Sequence, residues 1–393
     1  MLRATPGLTF VLLLLAEASL LLAAACSGGG TSPLPVSTLM FLPAGSPPPV
    51  LSSSPAVPLA SPTASRQVTL VAVGDVMLGR IIGDRVRGFG PPYPFELVAD
   101  TLRQADVTFA NLESPLTEGG EPEPKDFVFQ GPPEAARGLA EAGIDIVSVA
   151  NNHALDYGLW GLAETRAALE SAGVAYVGVG DSEAVARSPR IIERNGLRLA
   201  FLAYVNTPRD SVSGFDVAGT AATTRRPGVA WATLEVVAAD VVAAAAHADI
   251  VVVSLHAGLE YQELPSDLQV AVAHAAIDAG ARLVLGHHPH VLQGIERYRS
   301  GLIIYSLGNF VFDLDSVDYA QPGLPSALSA VLEIGLTREG VVDCRLLPIA
   351  IDPADGRPYP ASGEQAAAVL ERMSRLSDGS CGLGSTPSPL PDR

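Results

Sequence analysis

The sequence predicts an α/β fold in which largely parallel strands lie between outer helices, with antiparallel pairs at the edges. Three observations carry that expectation. From Val68 onward, apolar runs of strand type alternate with stretches of helical period, and that βαβ order implies a parallel sheet. At 190–204 and 328–349 strand runs follow one another with little helix between them, as hairpins do. Finally, the residues richest in chemistry fall where apolar runs end. Two sheets with helices outside accommodate the number of elements.

In chain order, strands are expected at 68–74, 107–111, 145–150, 174–178, 190–194, 198–204, 249–255, 282–286, 301–306, 328–335 and 341–349. Helices are expected at 94–105, 133–142, 160–172, 231–246, 266–280 and 363–376. The helix at 160–172 has Leu162 and Leu169 at helical spacing and stops at Gly173. The Ala-rich stretch 231–246 reads the same way. Residues 206–230, including Arg225, Arg226 and Pro227, have no periodicity and are expected to form a surface loop bordering the site.

Composition sets the outer limits. A chain of 393 residues that is 48% apolar has ample material for a core. A formal net charge of −17 argues against nucleic acid, or an anionic membrane surface, as the partner. Lys125 is the only lysine.

The N-terminus reads as an export signal. Arg3 precedes an apolar run from Leu8 to Ala25 that closes on Ala23-Ala24-Ala25-Cys26. A small-residue run ending in Cys is similar to a lipoprotein lipobox, although Ala23 stands where Leu is usual. Lipidation at Cys26 is favoured over cleavage after an Ala-x-Ala or an uncleaved anchor helix. Residues 27–66 are rich in Pro, Ser, Gly and Ala and are expected to be an extended tether. The expected division is a signal at 1–26, a tether at 27–66, a folded domain at 67–350, and a C-terminal helix with a disordered tail at 351–393. An exported chain would let Cys344 and Cys381 pair, but their settings, a strand-like run and a Gly-Ser-rich tail, favour leaving them unpaired.

Five polar islands sit at the strand ends. Asp75 follows Val-Ala-Val-Gly, where Gly74 is expected to turn the backbone and expose the carboxylate; an ordinary turn Asp would look the same. Asn111 and Glu113 flank a core-facing Leu112, so they share the other face, and Glu113 could bridge two metal ions. At Asn152-His153 the amide oxygen is a neutral metal ligand, the imidazole is expected to turn toward substrate, and Asp156 to fix its tautomer. His256 ends a very apolar strand, with Glu260 and Tyr261 close behind; alone, such a His is usually structural. His288-Pro289-His290 puts two imidazoles at alternate positions, able to hold one ion or two neighbours, with His287 pointing elsewhere. Asn309 follows Gly308 in a supporting loop, where it is expected to hydrogen-bond a ligand or substrate. No Gly-x-Ser-x-Gly elbow and no phosphate loop with Lys is present.

These pieces, GDVMLGR (74–80), NLESPLT (111–117), ANNHALDYG (150–158), SLHAGLEY (254–261), GHHPHVLQG (286–294) and YSLGNFVFD (305–313), resemble the CapA family of poly-γ-glutamate capsule synthesis proteins. That family is a branch of the calcineurin-like metallophosphoesterases. The resemblance implies a four-layer αββα sandwich over residues 67–350 and one or two divalent ions of Mn, Fe or Zn. Asp75, Glu113 and His290 would hold one ion, and Glu113, Asn152, His256 and His288 the other. His153, oriented by Asp156, would be general acid or transition-state donor, and the ion would activate the attacking water by bringing its pKa from about 15.7 toward about 7. Arg80, Asn111, Lys125, Glu260 and Asn309 are the residues expected to meet substrate. Three positions depart from the wider pattern: Met77 where phosphoesterases have His, Glu113 where they have Asp, and Ala257 where this branch commonly has Trp.

The implied role is an exported, membrane-tethered protein of capsule or poly-γ-glutamate synthesis or export. Its site would act on an anionic polymer, a phosphate ester or a γ-glutamyl bond, beside membrane-bound synthase or export subunits. A non-catalytic scaffold of a polymer synthase and an envelope phosphoesterase are the alternatives.

Overall fold

Every strand predicted by the alternation is present in the computed structural model, which describes residues 66–209 and 213–383. The strands divide between two sheets. In the first the order is Pro358–Pro360, Gly340–Ile351, Leu328–Thr337, Val68–Val76, Val107–Leu112, Ile146–Ser148, Ala175–Val177. The last four run parallel, and the others join them antiparallel. In the second sheet the order is Ile295–Tyr298, Gly301–Ile304, Leu283–His287, Ile250–Ala257, Leu197–Asn206, Arg190–Arg194. Its four central strands are parallel and both edges antiparallel.

Strand alternation sorts the side chains into layers. Leu70, Ala72, Phe109 and Ile146 of the first sheet share one core with Leu199, Phe201, Val252 and Leu283 of the second. Phe109 and Phe201 stack across it, ring centroids 5.8 Å apart. The opposite faces, through residues such as Val71 and Leu112, pack on the helices Arg80–Phe89, Ala135–Ala142 and Gly158–Ala172. On the second sheet, Leu202 and Val253 pack on Leu234–Ala245 and Asp267–Asp278. The result is helix, sheet, sheet, helix. Because both parallel cores deliver their C-terminal ends to one side, the polar islands converge there.

Some local expectations fail for identifiable reasons. The helix expected at 94–105 is only a turn at Tyr93–Phe95 and a short helix at Ala99–Leu102. Pro94 sits in that first turn, where its missing N–H costs no hydrogen bond. A helix the sequence did not announce, Arg80–Phe89, follows the first strand; Gly83 and Gly88 lower its intrinsic helix preference. Segment 206–230 is more than loop, with a helical turn at Val217–Thr220 and the strand Gly228–Val229 paired to Val179–Gly180. The sheet also continues past residue 350, where Val369 and Met373 of the helix Gly363–Leu376 reach the inter-sheet core. Cys26, the signal and the tether through residue 65 lie outside the described residues, as does the tail from 384. No helix among the described residues is long and apolar enough to cross a membrane.

Cys344 and Cys381, expected to stay apart, are disulfide-bonded, with Cα atoms 4.8 Å apart. The strand Gly382–Leu383 pairs parallel with Gly340–Ile351, and that pairing brings the two cysteines together. Closing a loop of sequence separation 37 restricts the unfolded chain and is worth about 2–4 kcal/mol. Reduction, or a Cys344→Ser/Cys381→Ser double variant, should therefore lower the thermal midpoint by several degrees. A midpoint unmoved by reductant would show that the bond contributes nothing.

Candidate metal centre

The first strand does not stop at Gly74; it runs through to Val76, with an irregular register on both sides of Asp75. Gly74 is needed for a close approach rather than a turn, since a Cβ there would stand 2.0 Å from the Gly308 carbonyl oxygen. The Asp75 amide donates to that same oxygen at 2.9 Å. The irregularity re-aims Asp75 into the gap between the sheets. Its carboxylate is fully buried, not exposed as the sequence suggested.

Around it the other strand ends close in. Glu113, His256 and His288 offer ligand atoms that all lie within 4.8 Å of one another, and so do Asp75, Glu113 and His290. Glu113 belongs to both groups. His256 Nε2 is 3.5 Å and His290 Nε2 3.9 Å from Glu113 Oε1. Asn152 Oδ1 lies 2.8 Å from His256 Nε2, placing the amide beside the first group. The structure thus brings together Asp75, Glu113, Asn152, His256, His288 and His290.

The electrostatics ask for a cation. Both Glu113 oxygens are buried without a hydrogen-bond partner, as is His288 Nδ1. Burial, and then the charge of Asp75, push the Glu113 carboxyl well above its ordinary range. Burial opposes ionisation of Asp75 as well, but His287, His290 and Asn111 outweigh it and hold that carboxyl low. Burial and the neighbouring imidazoles depress His256 strongly and His288 to about 3. Both rings are therefore neutral, the form in which imidazole ligates. A buried carboxylate with two idle oxygens among neutral imidazoles fits a divalent ion.

Asparagines hold these side chains in place. Asn111 Nδ2 donates to Asp75 Oδ1 at 2.9 Å and lies 3.2 Å from His256 Nδ1. Asn151, which has no ligand signature in the sequence, donates to Asn111 Oδ1 and to the Leu112 carbonyl. Asn111 is completely buried, which corrects its expected contact with substrate: its amide is spent on Asp75 and His256. Asn309 is equally buried, with Oδ1 2.9 Å from His290 Nδ1 and Nδ2 donating to the Ser326 carbonyl. Both ends of its amide are thus spent inside the protein.

His287 also departs from expectation. It does not point elsewhere, for Nδ1 stands 3.2 Å from Asp75 Oδ1. The strand ends at His287, and both His288 (φ 97) and His290 (φ 58) turn into the left-handed region. The simple alternation of an extended segment does not hold there. Met77 supplies no ligand: it is buried with Phe129, Phe312 and Ile351.

His153 stands at the mouth of the centre with Nδ1 2.8 Å from Asp156 Oδ2. Lys125 Nζ pairs with Asp156 Oδ1 at 2.5 Å, reaches His153 Nδ1 at 3.2 Å and donates to the Asn152 carbonyl. Lys125, expected to meet an anion, is instead spent inside this cluster. Phe129 stacks on the imidazole at 4.0 Å between centroids, a contact with no sequence signal. Burial holds His153 down to about 4. Arg80 is likewise committed, to Asp313 at 3.2 Å and Asp315 at 3.6 Å. A cleft of about 440 Å³ opens over the centre, lined by residues including Lys125, Asn152, His153, Phe215, Glu260 and His288. Thr207, Arg209 and Phe215 show that segment 206–230 borders it.

The sequence matches the family described as "Bacterial capsule synthesis protein PGA_cap" over residues 69–314. It is 33% identical over 306 residues to the capsule biosynthesis protein CapA of Bacillus anthracis, covering 76% of this chain and 70% of that one. To the PGA biosynthesis protein CapA of Bacillus subtilis (strain 168) it is 33% identical over 309 residues, covering 78% and 77%. Among solved structures, a hypothetical protein from Thermus thermophilus superposes with a TM-score of 0.46 at 20% identity, covering 71% of this chain and 98% of that one.

Two carboxylates confined in one buried cluster should make the protein's stability depend on its cation. Reloading chelator-stripped protein with Mn, Fe or Zn at 100 times the Kd should add about 2.7 kcal/mol. Glu113→Gln should not destabilise the stripped protein, yet should abolish most of that gain. Identical melting of stripped and reloaded wild-type protein would count against a metal centre.

Proposed function

The chain belongs to the bacterial capsule synthesis protein family, and on that footing we propose that it is an exported, membrane-tethered protein of capsule or poly-γ-glutamate synthesis or export with a metal-dependent hydrolase-type site. One observation carries the site reading: Glu113, its two oxygens idle and buried, lies in both the Asp75–His290 and the His256–His288 groups. Those residues with Asn152 would hold one or two divalent ions. Such ions would supply Lewis-acid activation of water or of the scissile group.

The chain's own residues account for the rest. Asp156 and Lys125 take up Nδ1 of His153, which leaves Nε2 to exchange a proton with a group in the cleft. The Asp156 contact favours a proton on Nδ1, the Lys125 contact a proton on Nε2; their balance decides whether the ring accepts or donates. Phe129 covers one face of the ring and limits water. An anionic polymer would find the nearby cations Arg80, Lys125 and Arg209 already paired, to Asp313, Asp156 and Asp216. Recognition of such a polymer then falls mainly to the metal centre. Membrane-bound synthase or export subunits are the partners this role calls for.

His153→Ala should keep the wild-type metal content while slowing phosphodiester or γ-glutamyl hydrolysis by about 10²–10⁴-fold. Elemental analysis beside a single-turnover assay reads both. An unchanged rate would remove His153 from the chemistry, and full metal content with no hydrolysis of either bond would leave a binding role.

A further inference from the structure

We propose that Glu260 is a further metal ligand, closing the centre on its open side with a third carboxylate. The proposal rests on the metal-centre reading above. A Glu260 carboxylate oxygen and one ring nitrogen each from His288 and His290 all lie within 4.8 Å of one another. The two imidazoles are buried, 4% and 6% exposed, whereas Glu260 is exposed and lines the cleft. The carboxylate therefore reaches the histidines from the solvent side. His288 Nδ1 has no hydrogen-bond partner.

The loop that carries Glu260 is built to hold it there. The Tyr261 amide donates at 2.8 Å to the carbonyl of Pro289, the residue between the two histidines. Tyr261 (φ 59), His288 (φ 97) and His290 (φ 58) all occupy the left-handed region, so both segments are bent where they meet. A side chain in that region is strained and persists only where its surroundings over-determine it. Gly258 (φ 115) admits the turn into the loop, and a Cβ there would stand 2.3 Å from Gln269 Oε1. Downstream, Gln293 Nε2 donates to the carbonyls of Gln262 (2.9 Å) and Leu264 (3.2 Å).

Charge points the same way. Asp75 and Glu113 bring at most two negative charges and the histidines none, so a third carboxylate brings the ligands closer to balancing two divalent ions. Oxygen donors also suit hard divalent cations.

The test is Mn(II) binding to chelator-stripped protein, followed by calorimetry and elemental analysis, for wild type, Glu260→Gln and Glu263→Gln. Glu260 is exposed, so its amide variant should fold, which the far-ultraviolet spectrum checks. Glu260→Gln should weaken Mn(II) about ten-fold or more, or lose part of the stoichiometry. Glu263→Gln, whose carboxylate pairs with Arg372 and Arg375 away from the centre, should bind like wild type. Equal affinity and stoichiometry in wild type and Glu260→Gln would overturn the proposal and leave Glu260 a wall of the cleft. A wild-type protein that takes up no Mn, Fe or Zn would overturn the metal centre itself, a separate result.

Discussion

Two acids confined in one apolar space set the terms for everything around them. Asp75 and Glu113 are both completely buried, and each shares His290 as a neighbour. Charge so placed cannot be stabilised by water, so the protein must answer it with hydrogen bonds, with imidazoles or with a cation. The two acids are treated unequally. Asp75 is solvated by Asn111, His287 and the His288 amide, while Glu113 receives no hydrogen bond at its carboxylate. That asymmetry identifies Glu113 as the group on which the centre turns.

The fold serves this arrangement through amides. Asn111, Asn151, Asn152 and Asn309 link strand ends from both sheets, so that displacing one ligand would disturb the rest. Asn111 joins a carboxylate of the first sheet to an imidazole of the second. This is hydrogen bonding between layers that otherwise meet through apolar side chains such as Phe109 and Phe201. A neutral amide can do this because it donates and accepts without adding charge.

Much of this is legible in the sequence. Strand-terminal Asp75, Glu113, His256 and the 287–290 run stand out because a buried parallel strand must be apolar until it ends, which makes the first polar residues beyond it conspicuous. The direction in which a polar side chain is spent is not visible. Asn111 and Asn309 read in sequence as residues that meet substrate and are interior struts in space. His287 falls outside the site only by a rule for extended chain that the left-handed His288 and His290 do not obey. Cys344 and Cys381 could not be matched from their settings, because their proximity depends on a short strand pairing at the far end of the domain. The stacking of Phe129 on His153 arises only through the tertiary fold.

Lys125 gives the protein an unusual chemical property. It is the only lysine in 393 residues, and its side chain is 5% exposed because Asp156, His153 and the Asn152 carbonyl hold it. An amine-acylating reagent therefore meets a folded surface whose described residues offer no freely accessible ε-ammonium group. Acylation at Lys125 would require the loop around it to open, so its rate would report the breathing of the wall beside His153 from a single atom, with no engineered label.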